Sequence, residues 1–298
     1  MDLRLGVSLS GASVSHLAEC PDLGPECDDP APPVPYYHHV DLVMSDLSVD
    51  GSYGITPWLA AELRFTVRVV DTAPTYSELD GRPKLVPDDI HHHDRTLVGP
   101  TDPWLSLRFA GATGGLITSA RLGVTVPLGR IEPDPYALGA RGAWHEHIQH
   151  GTGTFVPLVG LGLSYALDPV DIAASAMGFF NLYENRHGFR APSRYFASLR
   201  VTAKLLEGKL RPYVEVDMPH ETQELWSGHP GMEGSNVRTD ILAGGGVGWT
   251  FMDPWALELG VLARVAKLTE GATLDYPGVV QLGLSTRFDL AGQKKGER

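Results

Sequence analysis

The chain has 298 residues, including 34 Gly and 23 Pro, with 20% charged residues and a formal net charge of -12. That balance argues against a nucleic-acid partner, which needs a basic face to neutralise phosphates, and an apolar fraction of 43% argues against a disordered polyelectrolyte. No run of about 18 apolar residues could form a membrane-spanning helix, and the length suits one large β domain or two ordinary ones.

The opening MDLRLGVSLS carries no export signal and already alternates, so it reads as a mature or recombinant start, with any export signal removed. Leu3, Leu5, Val7 and Leu9 face one way and Arg4, Gly6, Ser8 and Ser10 the other, which predicts a strand over 2–10. A polar loop over 11–39 follows. It holds both cysteines, Cys20 and Cys27, in a Pro- and Asp-rich stretch. A close pair there predicts a disulfide and an oxidising compartment; two free thiols are the alternative. The next strand, 40–55, changes phase near Ser45–Leu47, which predicts a bulge. In 58–70, Ala61, Leu63, Phe65, Val67 and Val69 oppose Glu62, Arg64, Thr66 and Arg68.

Strands over 102–110 and 116–127 flank the tight AGATGG turn, and strands over 154–166 and 170–183 flank an Asp-Pro pair. The last of these is small and apolar on both parities, so periodicity leaves its faces unassigned. In 195–206, Leu199 and Val201 oppose Ser198, Arg200, Thr202 and Lys204; in 210–219, Val214, Val216 and Met218 oppose Tyr213, Glu215 and Asp217. Strands over 239–251 and 255–267 again flank an Asp-Pro pair. The final strand, 279–289, sets Val280, Leu282, Leu284 and Phe288 against Gln281, Gly283, Ser285 and Arg287.

Three phrases recur at matching points: SYGITPWLAAELRF, SYALDPVDIAAS and WTFMDPWALELGV. Each joins an aromatic residue to a Thr-Pro or Asp-Pro reversal. Pro presets the turn angle, and an amphipathic ring is stable at a membrane interface. Between the tight turns lie long polar loops, over 11–39, 71–101, 129–151, 184–194, 219–238 and 269–278. The strands run about 10 to 14 residues, where soluble strands average about 5 to 6. Long strands, one polar face, and turns alternating with long loops predict an all-β fold: a single antiparallel up-and-down transmembrane β-barrel of about 12 strands, with short periplasmic turns and long extracellular loops. The barrel takes 1–290, and 291–298 form a C-terminal tail.

In this pattern, and in a terminal strand ending on the aromatic Phe288, the chain resembles bacterial outer-membrane β-barrel proteins, broadly the porin-like transporters. It departs from them by continuing DLAGQKKGER past that strand. The resemblance implies an outer-membrane location, contact with membrane lipid and lipopolysaccharide, and passage of small solutes; it leaves the oligomeric state open.

The polar face predicts the lining of the lumen: Arg4, Glu62, Arg64, Arg68, Arg108 and Arg121 from the first half, and Arg200, Arg211, Glu215, Asp217, Glu258, Arg264 and Arg287 from the second. Twelve strands fall between the filled eight-stranded barrel and the open sixteen-stranded porin. These residues fit a narrow pore whose arginines favour anions or polar solutes, or a salt-bridge ladder that plugs the barrel. All 12 His residues fall in the predicted outer loops. His91, His92, His93 and Asp94, with His145 and His147, are candidate ligands for zinc, copper or nickel, though the spacing matches no closed zinc motif. The alternative is solvated loop histidines that never converge.

No enzymatic activity is expected. The chain has no G-x-S-x-G elbow and no His-x-Ser-Asn phrase like that of the lipid-cleaving barrels. GTGTF and AGGGVG lack the Lys-Ser/Thr and strand-to-helix context of a phosphate loop. The expected function is therefore a channel or transporter for passive passage of small polar or anionic solutes, with no cofactor unless a divalent metal such as zinc binds the loops. The alternative is a non-conducting barrel whose His-rich extracellular loops bind metal or a surface partner.

Overall fold

The computed structural model describes residues 1–18, 34–86, 92–231, 237–269 and 274–288. Cys20, Cys27, His91 and the 291–298 tail lie outside these residues. In chain order the strands are β1 (Asp2–Ala18), β2 (Tyr36–Thr56), β3 (Leu59–Ser77), β4 (Arg95–Pro100), β5 (Trp104–Thr113) and β6 (Leu116–Thr125). A short helix α1 (Pro135–Gly139) precedes β7 (Val156–Leu167), β8 (Val170–Phe179), β9 (Phe189–Arg190), β10 (Arg194–Ala203) and β11 (Leu210–Glu221). The two-residue β12 (Leu225–Trp226) and β13 (His229–Pro230) lead to β14 (Arg238–Met252), β15 (Trp255–Lys267) and β16 (Leu274–Arg287).

Each long strand pairs antiparallel with its chain neighbour, and β1 also pairs with β16, which closes the sheet. β4 and β5 both pair with β3, on its outer and inner halves, and act as one interrupted strand. The result is a closed antiparallel barrel of 12 strands. Closure removes the unpaired edges that an open sheet would present. Both termini lie on the turn side, where the Met1 amino group donates to the Phe288 carbonyl at 2.7 Å.

The tight turns fall at Thr56–Leu59, Thr113–Leu116, Leu167–Val170 and Met252–Trp255, so all three recurrent phrases are turn-side reversals. Tyr53, Trp58, Tyr165 and Trp249 are exposed near them, and Trp58 stacks on Phe109 at 6.3 Å. Above this ring the outer wall is apolar. Leu5, Leu47, Leu63, Leu105, Leu122, Leu161, Leu199, Val214, Leu259 and Leu282 are exposed, drawn from successive strands around the barrel. Water would not tolerate so continuous a belt; hydrocarbon does. The apolar face is therefore the lipid surface and the polar face the lumen.

Several expectations need correction. The first outer loop is shorter than 11–39, because β1 and β2 continue paired as far as Ala18 and Tyr36. His16, His38 and His39 thus stand on strands, as does His220. β2 holds no bulge at Ser45–Leu47, since its register with β1 is unbroken from Tyr36 to Ser52. Val40, Leu42 and Met44 keep the inward parity of Asp46, Ser48 and Asp50. The phase appeared to change because the inner face itself turns from apolar at the loop end to charged at mid-barrel. The predicted 71–101 loop contains the end of β3 and all of β4. β8, which periodicity could not orient, points Asp171, Ala173, Ser175, Met177 and Phe179 inward, in register with Thr202, Arg200, Ser198, Phe196 and Arg194 of β10.

The glycine run in β14 has a packing role. A Cβ at Gly246 or Gly260 would fall 2.5 or 2.4 Å from the Tyr213 hydroxyl. The Tyr213 ring lies flat across these two positions, buried at 8% exposure, with the Arg200 guanidinium 4.1 Å above it.

Candidate functional site

The lumen holds two cavities stacked along the barrel. The turn-side cavity, about 920 Å³, is lined by Asp2, Arg4, Asp50, Glu62, Arg64, Arg121 and Arg287 among others. The loop-side cavity, about 590 Å³, is lined by the polar Asp46, Arg64, Thr66, Arg68, Asp102, Gln149 and His150, and by the apolar Trp104, Met177, Phe179, Phe189 and Phe196. Three residues line both: Arg64, Trp104 and Met177. They mark the waist where the cavities meet. The strand register explains this placement, since Arg64 of β3 faces Trp104 of β5 with its guanidinium 5.8 Å from the indole ring.

The charged side chains form two networks. On one side Glu62 accepts hydrogen bonds from Arg108 at 2.7 Å, Arg121 at 2.5 Å and Ser106 at 3.1 Å. On the other, Arg200 donates to Glu215 at 2.8 Å and to Glu258 at 3.2 Å, Tyr213 donates to Glu258 at 3.2 Å, and Arg4 lies 3.7 Å from Glu258. Asp217 shares the inner face of β11 with Glu215. Nearer the turns, Asp171 holds Lys204 at 2.8 Å and Arg211 at 3.1 Å, and Arg287 holds Asp2 at 2.7 Å. Where the cavities meet, Arg64 is doubly bonded to Asp50; toward the loops, Arg68 makes two 2.8 Å bonds to Asp46, and Arg264 meets Asp275 at 2.5 Å. These pairs join side chains of matching parity on their strands. The pairing holds the long guanidinium side chains in fixed positions, some between neighbouring strands and one, Arg200 to Glu258, from β10 to β15.

The loops fold over the outer cavity. The segment over 126–155 is fastened at its base by Asp102, whose carboxylate accepts from Gly129 N at 2.8 Å and from Thr152 N and Oγ1, each at 2.7 Å. Gly129 and Gly151 touch backbone to backbone, so a Cβ on Gly129 would meet the Gly151 Cα at 2.5 Å. Asp134 caps α1 through Tyr136 N and Ala137 N. Phe189 and Trp226 pack with tilted rings at 4.5 Å, and Tyr136 meets Trp226 edge-on at 6.3 Å, so three loops share one small core. His150, at the end of the segment, is buried at 7% exposure. Burial, and then the Arg68 guanidinium, push its imidazole below the ordinary histidine value.

The histidines distribute differently from their sequence clusters. His92 joins His16 of β1 and His38 of β2, their ligand atoms all within 4.8 Å of one another. His93 instead stacks on Trp144 at 4.9 Å, and Asp94 is outside the cluster. His145 and His147 lie 5.1 Å apart, with His147 6.2 Å from His92. Sequence reasoning missed His16 as a partner because it was read as loop. It also missed Asp102 and the apolar side of the outer cavity. Trp104 carries the inward parity of β5, a signal that was present but unused.

No family model matches the chain, and no curated protein sequence does either. Solved structures do. The COG4313 outer membrane channel from Pseudomonas putida F1 aligns over 96% of this chain and 95% of its own, at 12% identity and a TM-score of 0.58. LpxR from Salmonella typhimurium aligns over 97% and 100% of the two chains, at 13% identity and a TM-score of 0.41. The Pseudomonas putida toluene transporter TodX aligns over 95% and 87%, at 11% identity and a TM-score of 0.41. With its closed 12-stranded sheet and apolar belt, the chain has the fold of the bacterial outer-membrane β-barrel proteins.

Proposed function

We propose that the protein is an outer-membrane channel for passive passage of small polar or anionic solutes. The observation that carries this reading is the pair of cavities, about 920 and 590 Å³, that meet at Arg64, Trp104 and Met177. A plugged barrel of this strand number would fill its middle with its own side chains. Here two cavities remain beside the charged networks, although Arg200 of β10 reaches Glu258 of β15 past two intervening strands. At the waist the one charged residue among the three shared by both cavities is a cation, Arg64, and its side chain is 46% exposed. Arg64 is paired with Asp50, and the exposed part of its guanidinium is the group that a passing anion would meet there. The aromatic side of the outer cavity adds room for solutes that carry an apolar part beside the charge.

The reversal potential under a salt gradient tests the reading. The wild-type channel shifts toward the anion equilibrium potential. Arg64→Glu, which puts a carboxylate at the waist beside Asp50, shifts the potential toward cations. A channel whose selectivity ignores that change would conduct by a route that does not pass Arg64.

A further inference from the structure

We propose that His16, His38 and His92 form a binding site for one divalent transition-metal ion of the zinc type, at the loop end of the β1–β2–β3 wall. This site is independent of the channel reading. Its residues come from three separate segments, so neither composition nor spacing brings them together. His16 and His38 are direct cross-strand partners, and Tyr76 of β3 is the next residue in the same row. Opposed side chains on paired strands stand about 4.5–5.5 Å apart at Cβ, close enough for two imidazoles to reach one ion. His92 closes over them from the segment before β4.

The distances suit a metal. Zinc–imidazole bonds run about 2.0–2.1 Å in a tetrahedral shell, which places neighbouring donor nitrogens roughly 3.3–3.4 Å apart. His16 Nε2 and His92 Nε2 already lie 3.2 Å apart, and all three ligand atoms fall within 4.8 Å. Small ring rotations close the remaining gap. A three-imidazole donor set suits zinc, copper or nickel, and not the hard cations calcium and magnesium, which take oxygen.

The surroundings hold the ligands in place. His38 is buried at 1% exposure, between the Tyr36 ring at 4.9 Å and the perpendicular Tyr76 ring at 5.1 Å. The Tyr76 hydroxyl donates to the His92 carbonyl at 3.1 Å, and the Thr72 hydroxyl donates to the His93 carbonyl at 2.5 Å. The His92 segment is thereby pinned to β3 by its backbone while its ring points at β1 and β2. Three ligands leave a fourth position for water or for His147, whose ring is 6.2 Å from that of His92. A bound ion would tie the 92–94 segment to the barrel wall.

The test is cobalt(II) titration of the full chain refolded in detergent, followed by displacement with zinc. The expected result is one cobalt per chain, with the visible ligand-field bands of a tetrahedral site that zinc removes. His92→Ala should weaken binding about tenfold or more, since even outer-shell changes around a metal cost about 10–100-fold. It removes no strand pairing, and heat-modifiable migration on a gel shows that the variant is folded. His38→Ala should act in the same direction, and His220→Ala, bonded to Thr239 at 2.7 Å, should leave binding unchanged. The proposal is overturned by a wild-type chain that takes up no stoichiometric cobalt, by a folded His92→Ala that binds as tightly as wild type, or by binding that depends on His145 and His147 alone.

Discussion

Phe65 and Thr66 are neighbours in one strand and meet different media. Phe65 is exposed on the outer wall, and Thr66 lines the outer cavity between Arg64 and Arg68. A step of one residue reverses the face. An Arg on the lipid side near the membrane midplane costs roughly 2–4 kcal/mol. Phe65→Arg should therefore impair folding into detergent or lipid by about that amount, measured by the urea midpoint of the heat-modifiable form. Thr66→Arg adds the same charge to the same strand and should fold normally while strengthening anion preference. The reverse pattern would invert the face assignment. This level of detail was legible in the sequence: the alternation from Ala61 to Val69 needs only a period of two. The role of Asp102 was not, because its partners Gly129 and Thr152 lie far along the chain and backbone donors leave no mark in side-chain patterns.

At the scale of elements, the segment over 126–155 supplies His147, Gln149, His150, Gly151 and Thr152 to the lining of the outer cavity. Its base hangs on the Asp102 carboxylate. Hydrogen bonds to a charged group contribute about 1.5–3 kcal/mol each, so Asp102→Ala should release the base. The expected outcome is faster proteolysis between Arg130 and Gln149 and larger, noisier current steps, with the barrel still intact by circular dichroism. An unchanged cleavage rate would mean that the segment is held elsewhere. His150 adds a pH dependence. Its imidazole is depressed by burial, then by the Arg68 charge and less by Arg130, against smaller raising effects of a backbone hydrogen bond with Arg68 and of Glu132. A depressed histidine makes the docked loop fully stable above the ordinary value of about 6.5 and progressively less so as pH falls below it, because the released loop binds the proton more readily. Lowering pH from about 7.5 to about 5 should increase gating, and His150→Gln should remove that response; an identical response in the variant would place the titrating group elsewhere. Strand order, the number of strands and the tight turns could be read from the sequence. The loop architecture could not. Val40, Leu42 and Met44 looked like a change of phase because periodicity reports parity, and the medium on each side changes along the barrel. His16, His38 and His92 converge only because β1 and β2 extend beyond the lipid belt.

At the scale of the whole molecule, one wall separates two solvents. Leu, Val and Phe from every quarter of the barrel face outward, and the charged residues of the same strands pair with one another inside. The outward set requires detergent or lipid. The inward set decides whether the barrel is a scaffold or a passage. The proposed passage rests on the two cavities that share Arg64, Trp104 and Met177. Single-channel recording of the refolded protein in a planar bilayer tests that claim most directly. The account predicts discrete, reproducible current steps that depend on inserted protein and whose ion preference changes with Arg64→Glu. A folded, heat-modifiable protein that inserts and gives no steps would contradict it.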